Sequence, residues 1–420
     1  MNAGGAMGRR SGGVRVGFFC HFFPEFLQAA NSSTGLAYML SQREDVSSVL
    51  VFSQMNGELP PHITGRKIKI ERCWIQDDPV SLIKTIMRMV QVRHEIDAYF
   101  FNMFVTSFGK GNVSNGIGLL MPSVLSFLTK RRVVTYMHNF FETQDVTALG
   151  YSPGLLERFA VRVLEKLLVS RTCVFVPLRS QGIKIRQTLG GKVYPLLLPG
   201  IEGVWFSLTN RGSLRLNKGE DGTTRVLLFG SWGPQKDLEG ALAALKVLTD
   251  IDEGARVTIA GEMNPHFPEY RVTFEAVQRR VASGRFKFIG RVEEEFIPTL
   301  FTSHDLLILP YKAAGGYSGA LNWAVTTGIG VIAYDLPELR ECASSMDLNI
   351  QFVPAGDAKS LVVAIQNFVH GLHQTTEGKL EDRQAMLRIQ LDAAVGVIAA
   401  SLRQGAQVHN VRHEGAETSQ

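Results

Sequence analysis

Residues 305–319 read DLLILPYKAAGGYSG, and this stretch decides the fold class. Its first part, Asp305–Leu309, predicts a strand buried in a parallel sheet. Two glycines and a Ser-Gly pair follow, and a helical pattern begins near Ser318. This order places free backbone N–H groups, with the helix dipole behind them, at the edge of the sheet. We therefore predict an α/β fold in which residues 315–319 cradle phosphate groups, with a turn needed only for chain reversal as the alternative.

The alternation of strand and helix patterns continues in both directions from this stretch. Two successive doubly wound parallel-sheet domains are therefore predicted, with ligands at the carboxyl ends of the strands. The predicted strands are Val14–Cys20, Val49–Phe52, Ala98–Phe101, Val133–Tyr136 and Cys173–Pro177 in the first half, and Arg225–Phe229, Arg256–Ala260, Phe286–Ile289, Asp305–Leu309 and Gly330–Ala333 in the second.

The chain length supports two domains, because 420 residues exceed the roughly 250 to 300 at which a single core stops growing. A polar stretch between Leu208 and Arg225 marks the boundary. We expect a disordered leader at 1–13, an N-terminal domain at 14–207, a linker at 208–224, a C-terminal domain at 225–375, a C-terminal helix at 376–405 and a disordered tail at 406–420.

Composition indicates the compartment. The cysteines are scattered, without the spacing of a zinc site or a disulfide framework, which favours a reducing, cytoplasmic location. The longest apolar run, Gly116–Leu128, contains Pro122 and is shorter than the roughly 20 residues that span a bilayer. We therefore expect no membrane-spanning segment. The four cysteines are Cys20, Cys73, Cys173 and Cys342.

Charge is divided unevenly along the chain. Lys and Arg outnumber Asp and Glu up to residue 210, and the reverse holds after it, within a net charge of +5. A basic first half predicts an anionic partner, which is membrane lipid, a phosphorylated acceptor or nucleic acid. A solvated basic face without a partner is the alternative.

A basic amphipathic helix is predicted inside this half. Ser152 and Pro153 form its expected start, and an apolar stripe runs over residues 155–168. The helix fits peripheral docking on the inner face of the membrane, or an ordinary domain helix with a charged outer face. The basic residues beside the stripe are Arg158, Arg162 and Lys166.

A second glycine loop follows the first strand of the second half. The strand RVLLF runs into Gly230-Ser231-Trp232-Gly233-Pro234-Gln235-Lys236 directly before a helix. A lysine at that point is placed to bind a phosphate, while a solvated lysine is the alternative.

These segments resemble the donor-binding domain of the retaining GT-B glycosyltransferases, in particular glycosyltransferase family 4. The similarity rests on FG-x5-K, IAG, FIGRV, DLLILPY and SGALNWAVTTGIGVIAYDLPELRE in order over about residues 225–369, and more loosely on TYMHN and LLLPGIE in the first half. The resemblance implies that the two domains face each other across a cleft that holds the reaction. It also implies a nucleotide-sugar donor, a glycan, lipid-linked or small-molecule acceptor, transfer with retention, no metal or other cofactor, and no nucleic-acid partner.

The resemblance also implies roles for individual residues. Gly230 and Lys236 would face the donor diphosphate, and Ser231 would also belong to the donor site. His138 would contact the donor sugar from the other domain, so that His138 and Lys236 are the expected catalytic residues. Arg291 and Val292 would hold the nucleobase through the main chain. The phosphates would also be lined by Gly315, Gly316, Tyr317, Ser318 and Gly319, and the acceptor would lie near the predicted loop of Ser33, Thr34 and Gly35.

Three positions depart from the family pattern. Ser231 stands where the family has an arginine, and Gly315 and Trp323 stand where it has paired glutamates. We expect Trp323 to pack against the ribose or the base, with a ring that blocks the pocket as the alternative. These departures keep two alternatives open: a degenerate nucleotide-sugar binding protein, and a nucleotide-sugar epimerase on the same fold.

Other enzyme classes fit less well. No G-x-G-x-x-G follows the first strand and no G-x-S-x-G is present, which argues against a dinucleotide oxidoreductase and an α/β-hydrolase. Asp250-Ile251-Asp252 resembles a metal-binding D-x-D but lies at the wrong end of the predicted sheet. Glu142 and Asp145 are the carboxylates nearest to His138 in the sequence, and no base can be assigned between them.

Overall fold

The computed structural model of the chain describes residues 12–22, 28–55, 67–109, 111–149, 152–201, 203, 223–265, 267–281, 284–293, 296–371 and 379–417. Two all-parallel sheets with helices on their faces form two Rossmann-like domains, which confirms the predicted fold class. Most of the predicted leader and of the linker at 208–224 lies outside the described residues.

The N-terminal domain is a seven-stranded sheet in the order β3-β2-β1-β4-β5-β6-β7. The strand order reverses between β1 and β4, where a doubly wound sheet opens its ligand crevice. The elements are β1 (Val14–Cys20), α1 (Gln28–Gln42), β2 (Val46–Gln54), β3 (Ile68–Trp74), α2 (Pro79–Gln91), β4 (Ala98–Met103), α3 (Asn112–Thr129), β5 (Arg132–Met137), α4 (Leu155–Arg171), β6 (Cys173–Val176), α5 (Arg179–Thr188) and β7 (Lys192–Pro195).

The C-terminal domain is a six-stranded sheet in the order β10-β9-β8-β11-β12-β13, which reverses between β8 and β11. The two glycine loops follow these two strands and therefore meet at the switch point. The elements are β8 (Arg225–Phe229), α6 (Leu238–Ile251), β9 (Arg256–Ala260), α7 (Arg271–Arg280), β10 (Phe286–Gly290), α8 (Ile297–Thr302), β11 (Leu306–Leu309), α9 (Gly319–Thr327), β12 (Gly330–Tyr334), α10 (Pro337–Ser345), β13 (Ile350–Val353), α11 (Ala358–Gly371) and α12 (Lys379–Glu417).

The last helix, α12, crosses back to the N-terminal domain. Its apolar side chains join the core formed by β1, β2 and α1, with Leu391, Val395, Ile398 and Leu402 all buried. The helix is described as far as Glu417. The expected domain limits, including a disordered tail from residue 406, stay a prediction.

One segment of α12, Gln384–Gln404, is long and apolar enough to cross a membrane, with a mean hydropathy of 1.5. The sequence analysis did not identify this segment, and the expectation of no membrane-spanning segment stays a prediction. One face of the segment packs in the core of the N-terminal domain.

Helix α3 runs through Pro122. Two local predictions also differ from the structure. Helix α4 begins two residues later than expected, with Gly154 instead of Ser152 at the N-cap position. Asn31 to Gly35 lie within α1 and do not form a loop before it.

Candidate functional site

Lys236 lies over the carboxyl end of β8. Its ammonium nitrogen is 4.7 Å from the ring centroid of Tyr311 and 5.6 Å from that of Trp232. Gly230 has φ +148°, and a Cβ there would lie 2.4 Å from Lys236 Nζ, so the lysine occupies space that only a glycine leaves free. Among the described residues Lys236 makes no ion pair with a carboxylate, and its charge is available for an anion.

Three glycines close the edge of the sheet beneath Lys236. Gly230, Gly261 and Gly290 follow or end β8, β9 and β10, all with positive φ. A Cβ on Gly261 would lie 1.9 Å from the carbonyl oxygen of Gly230, and the Gly261 amide donates to the Gly290 carbonyl at 2.5 Å. Backbone therefore packs directly on backbone, which leaves a floor without side chains.

The two predicted donor loops are hydrogen-bonded to each other. The Lys312 amide donates to the Gln235 carbonyl at 2.9 Å, and the Asp237 amide donates to the Pro310 carbonyl at 2.7 Å. The Asp237 carboxylate caps α6, pairs with Lys312 at 3.1 Å and accepts from the Tyr334 hydroxyl at 2.9 Å. These bonds hold Lys236 beside the glycine-rich loop after β11.

The glycine-rich loop ends in an open helix start. Ser318 is the N-cap residue of α9, in an extended conformation, and its side chain makes no capping hydrogen bond. The amides of Gly319 and Ala320 have no acceptor within the helix, as in every first turn. Gly316 has φ +144°. The predicted cradle is thus a helix N-terminus beside a free ammonium group, which is suited to a diphosphate.

The N-terminal domain covers this cradle. The Gln144 side chain donates to the carbonyl of Gly315. A Cβ on Gly316 would lie 3.0 Å from the His138 carbonyl oxygen and 3.1 Å from Gln181 Nε2. The glycines at 315 and 316 therefore let the loop after β5 and the start of α5 approach the donor loop closely.

His138 follows β5 and is buried. Its ring stacks on Phe104 with a centroid distance of 4.2 Å, and its Nε2 is 2.9 Å from Asn102 Oδ1. Because Asn102 Oδ1 can only accept, this contact assigns the proton to Nε2. Burial lowers the pKa of His138 to about 3. The side chain is therefore neutral near pH 7 and fits hydrogen bonding to a sugar hydroxyl better than proton transfer.

The predicted acceptor residues lie inside helix α1 and not in a loop. Ser33 and Thr34 are fully buried in α1, and a Cβ on Gly35 would lie 2.9 Å from the Ile201 carbonyl oxygen. The Asn102 side chain donates to Ser33 Oγ at 2.8 Å. The Ser-Thr-Gly sequence, typical of a loop, here packs a helix tightly on the sheet and supports His138 through Asn102.

Three further predicted residues line the edge of the donor domain. Ser231 is exposed, and Arg291 and Val292 follow Gly290 at the carboxyl end of β10, with Val292 packed against the same core as Tyr317. Trp323 is 5% exposed and its ring lies 6.4 Å from that of Phe301. The indole therefore forms part of the apolar wall and presents little of its surface.

Sequence reasoning missed the side chains that join the two domains. Gln144, Gln181 and Asn322 make such contacts, and Asn322 Oδ1 accepts from the Gly200 amide at 2.7 Å and from the Tyr317 hydroxyl. Isolated Asn and Gln residues form no sequence pattern that would indicate a contact between domains. The position of Asn102 at the end of β4, beside the switch point, could have identified that residue.

Glu165 is a further missed residue. It is fully buried in α4, and its carboxylate accepts from the amides of Phe141 at 2.5 Å and Glu142 at 3.2 Å. Burial raises the pKa of Glu165 to about 7, against the opposing effect of these two amides. Glu165 thus holds the loop that carries Gln144 toward the donor domain.

A metal site is not evident in the described part of the chain, where no three His, Cys, Asp or Glu side chains form a suitable group. Asp250 pairs with Lys246 on the surface at the far end of α6, as expected for a D-x-D segment at the wrong edge of the sheet. The expectation that the reaction needs no metal stays a prediction.

A family model and several solved structures are similar to this chain. Residues 223–370 match the family model described as glycosyl transferases group 1. The fold is similar to Anabaena Alr3699/HepE in complex with UDP-glucose (15% identity, 93% of this chain and 98% of that chain, TM-score 0.63). It is also similar to a sucrose-phosphate synthase from Thermosynechococcus elongatus (14% identity, 96% of this chain and 100% of that chain, TM-score 0.61).

A third similar structure is a candidate UDP-N-acetylglucosamine 2-epimerase from Listeria monocytogenes (10% identity, 93% and 96% coverage, TM-score 0.56). The search of curated proteins gave no match. At these identities the structures establish the fold, and the family match covers the C-terminal domain. Residues 223–370 are therefore similar to the group 1 glycosyltransferase family, and the two domains together have the GT-B fold.

Proposed function

We propose that this protein transfers a sugar from a nucleotide-sugar donor to an acceptor hydroxyl, with retention at the anomeric carbon. One observation carries the proposal: the free ammonium group of Lys236 and the open N-terminus of α9 meet at one switch point in a group 1 glycosyltransferase domain. The two elements suit a diphosphate leaving group, whose charge develops as the glycosidic bond breaks.

In this reaction the C-terminal domain binds the leaving group and the N-terminal domain binds the donor sugar. The anomeric C–O bond to the diphosphate breaks, the acceptor oxygen bonds to that carbon on the same face, and the acceptor proton passes to an oxygen of the departing diphosphate. Lys236 and the amides of Gly319 and Ala320 stabilise that leaving group. His138, neutral and fixed by Asn102, accepts a hydrogen bond from the donor sugar at Nδ1.

The test is release of nucleoside diphosphate. The protein is incubated with UDP-glucose and other nucleotide sugars, with and without extracts that contain glycan and lipid acceptors, and UDP is measured. UDP-glucose comes first because the similar Anabaena protein was solved with it. We expect acceptor-dependent release that falls in Lys236→Ala, while absence of release with every donor would contradict the proposal.

Two alternatives have their own support. Gly315 and Trp323 stand where the family has its paired glutamates, which favours a binding protein with a decayed site. The similarity to the Listeria protein favours an epimerase. Donor binding without turnover would support the first, and an altered sugar nucleotide without acceptor would support the second.

We further propose that α4 docks on an anionic membrane, on the cytoplasmic face. The side chains of Leu155, Leu156 and Phe159 are 87%, 86% and 68% exposed, an unusual exposure for three large apolar residues on one helix turn. Arg158, Arg162 and Lys166 lie beside them, and basic residues near an anionic surface contribute about 1 kcal/mol each. A lipid-linked acceptor would then lie near the cleft.

Vesicle co-sedimentation tests the docking. We expect binding to vesicles of anionic phospholipid at low salt, and loss of binding when Leu155, Leu156 and Phe159 are all changed to Ser. Val272→Ser is the matched control, since Val272 is 74% exposed on α7 of the other domain. Equal binding to neutral and anionic vesicles, or no effect of the triple substitution, would remove this proposal and favour a soluble acceptor.

A further inference from the structure

The N-terminus of α5 lacks a cap from its own domain. Its N-cap residue is Leu178, whose side chain offers no acceptor. The first two amides, of Arg179 and Ser180, donate instead to the carboxylate of Glu341 from the C-terminal domain, with Ser180 N at 3.2 Å from Oε1 and 3.4 Å from Oε2. A helix of ten residues is thus closed by an anion from across the cleft.

A second polar group at this place lacks a partner within the described structure. Gln181, in the same helix turn, is 8% exposed, and its Oε1 has no hydrogen-bond partner among the described residues. Its Nε2 lies 3.1 Å from the Cβ position of Gly316, so the side chain points into the cleft at the donor loop. A buried amide oxygen without a donor is costly, and a ligand hydroxyl would satisfy it.

Glu341 is close to the donor cradle in its own domain. It lies on α10, and the neighbouring Cys342 thiol is hydrogen-bonded to the backbone of Ser318, the N-cap residue of α9. Two helix N-termini, α5 of one domain and α9 of the other, therefore converge on the same part of the cleft. Each presents free or displaceable amides to an anion.

We propose that the α5 N-terminus is an oxyanion site for a phosphate group of the substrate, and that Glu341 fills it until that group enters. The proposal rests on the transferase function above. Both the carboxylate and the phosphate need the amides of Arg179 and Ser180, and like charges repel each other, so binding of one expels the other. The exchange breaks a hydrogen-bonded contact between the domains and couples substrate entry to their relative movement.

The phosphate has two sources, a phosphorylated acceptor or the donor diphosphate, and two probes distinguish them. Calorimetry measures the affinity for glucose 6-phosphate, a phosphate monoester, and for UDP. Glu341→Ala should raise the affinity for one or both probes about tenfold or more, because the competing charge-assisted hydrogen bonds are lost. Glu275→Gln, an exposed carboxylate on α7, is the control and should change neither.

A second pair of variants tests the amides directly. Arg179→Pro removes one N–H, and its φ suits the first helical position after the extended Leu178. Arg179→Ala removes the side-chain charge and keeps the amide. Combined with Glu341→Ala, the proline should abolish most of the gain in affinity and the alanine should retain it.

The outcomes distinguish a failure of the proposed oxyanion site from a failure of the proposed transferase activity. A gain for the monoester assigns the site to the acceptor, and a gain for UDP alone assigns it to the donor. Unchanged affinity for both probes in Glu341→Ala would overturn the site, even where UDP release from a nucleotide sugar proceeds. A gain without any turnover would retain the site and reject the proposed function.

Discussion

Replacing Lys236 by alanine is the most direct test of the donor site. The ammonium group lies over β8 at the switch point, beside the open start of α9, and no carboxylate among the described residues neutralises it. Loss of one charge-assisted phosphate contact costs about 1.5 to 3 kcal/mol. We therefore expect the affinity for UDP to fall roughly 10- to 150-fold.

The fold should tolerate this substitution. Lys236 is half-buried, and its described contacts are the rings of Tyr311 and Trp232, each worth about 0.5 to 1 kcal/mol at a partly exposed site. A thermal melt should therefore show a small shift. Lys246→Ala is the control, because Lys246 pairs with Asp250 on the surface of α6, away from the cleft.

Calorimetric titration with UDP, at low and at moderate salt, measures the effect. The difference between parent and variant should shrink as salt rises, since an exposed charge is screened. Equal affinity of the parent and Lys236→Ala, with Lys246→Ala also unchanged, would refute the assignment of Lys236 to the diphosphate.

Three further predictions follow from the structure. His138→Ala should bind UDP normally and transfer poorly, and equal losses in both assays would mark a structural histidine. Trp323→Phe, which keeps the buried wall filled, should bind UDP more weakly if the indole edge packs on the ligand, and a gain in affinity would show that the ring blocks the pocket. Glu165, with a folded pKa of about 7 against 4.5 in a free side chain, stabilises the fold below pH 4.5 and loses that contribution as pH rises through 7, by an amount on the order of 3 kcal/mol. Urea titrations of Glu165→Gln should lack that slope, and a slope equal to that of the parent would contradict the assignment.

The two donor loops could be predicted because their backbone conformation requires glycine. Gly230 and Gly316 have φ of +148° and +144°, which residues with a Cβ rarely adopt, so the sequence has to show a glycine there. Long apolar strands such as β1 and β4 were equally visible, since both faces are buried. Edge strand β3, with a half-exposed and partly charged sequence, was missed because its pattern is neither continuous nor cleanly alternating.

The interface between the domains could not be predicted from local patterns. Gln144 meets Gly315 across 171 residues, and Arg179 meets Glu341 across 162. A single amide or carboxylate becomes significant only when the fold brings its partner near. The helical state of Ser33 was missed for a similar reason, because tertiary packing overrides the loop preference of small polar residues.

Contacts in the cleft explain two of the departures from the family pattern, Gly315 and Trp323. A Cβ at residue 315 would lie 3.1 Å from Gln144 Nε2 and 3.3 Å from Leu149, so a larger residue there would push the N-terminal domain away. The absence of a side chain at Gly315 therefore lets Gln144 hydrogen-bond to its carbonyl across the interface. Trp323 likewise fits a closed apolar wall with Phe301. A decayed site would leave gaps at such positions, whereas the glycine at 315 and the indole at 323 are each matched by a neighbour.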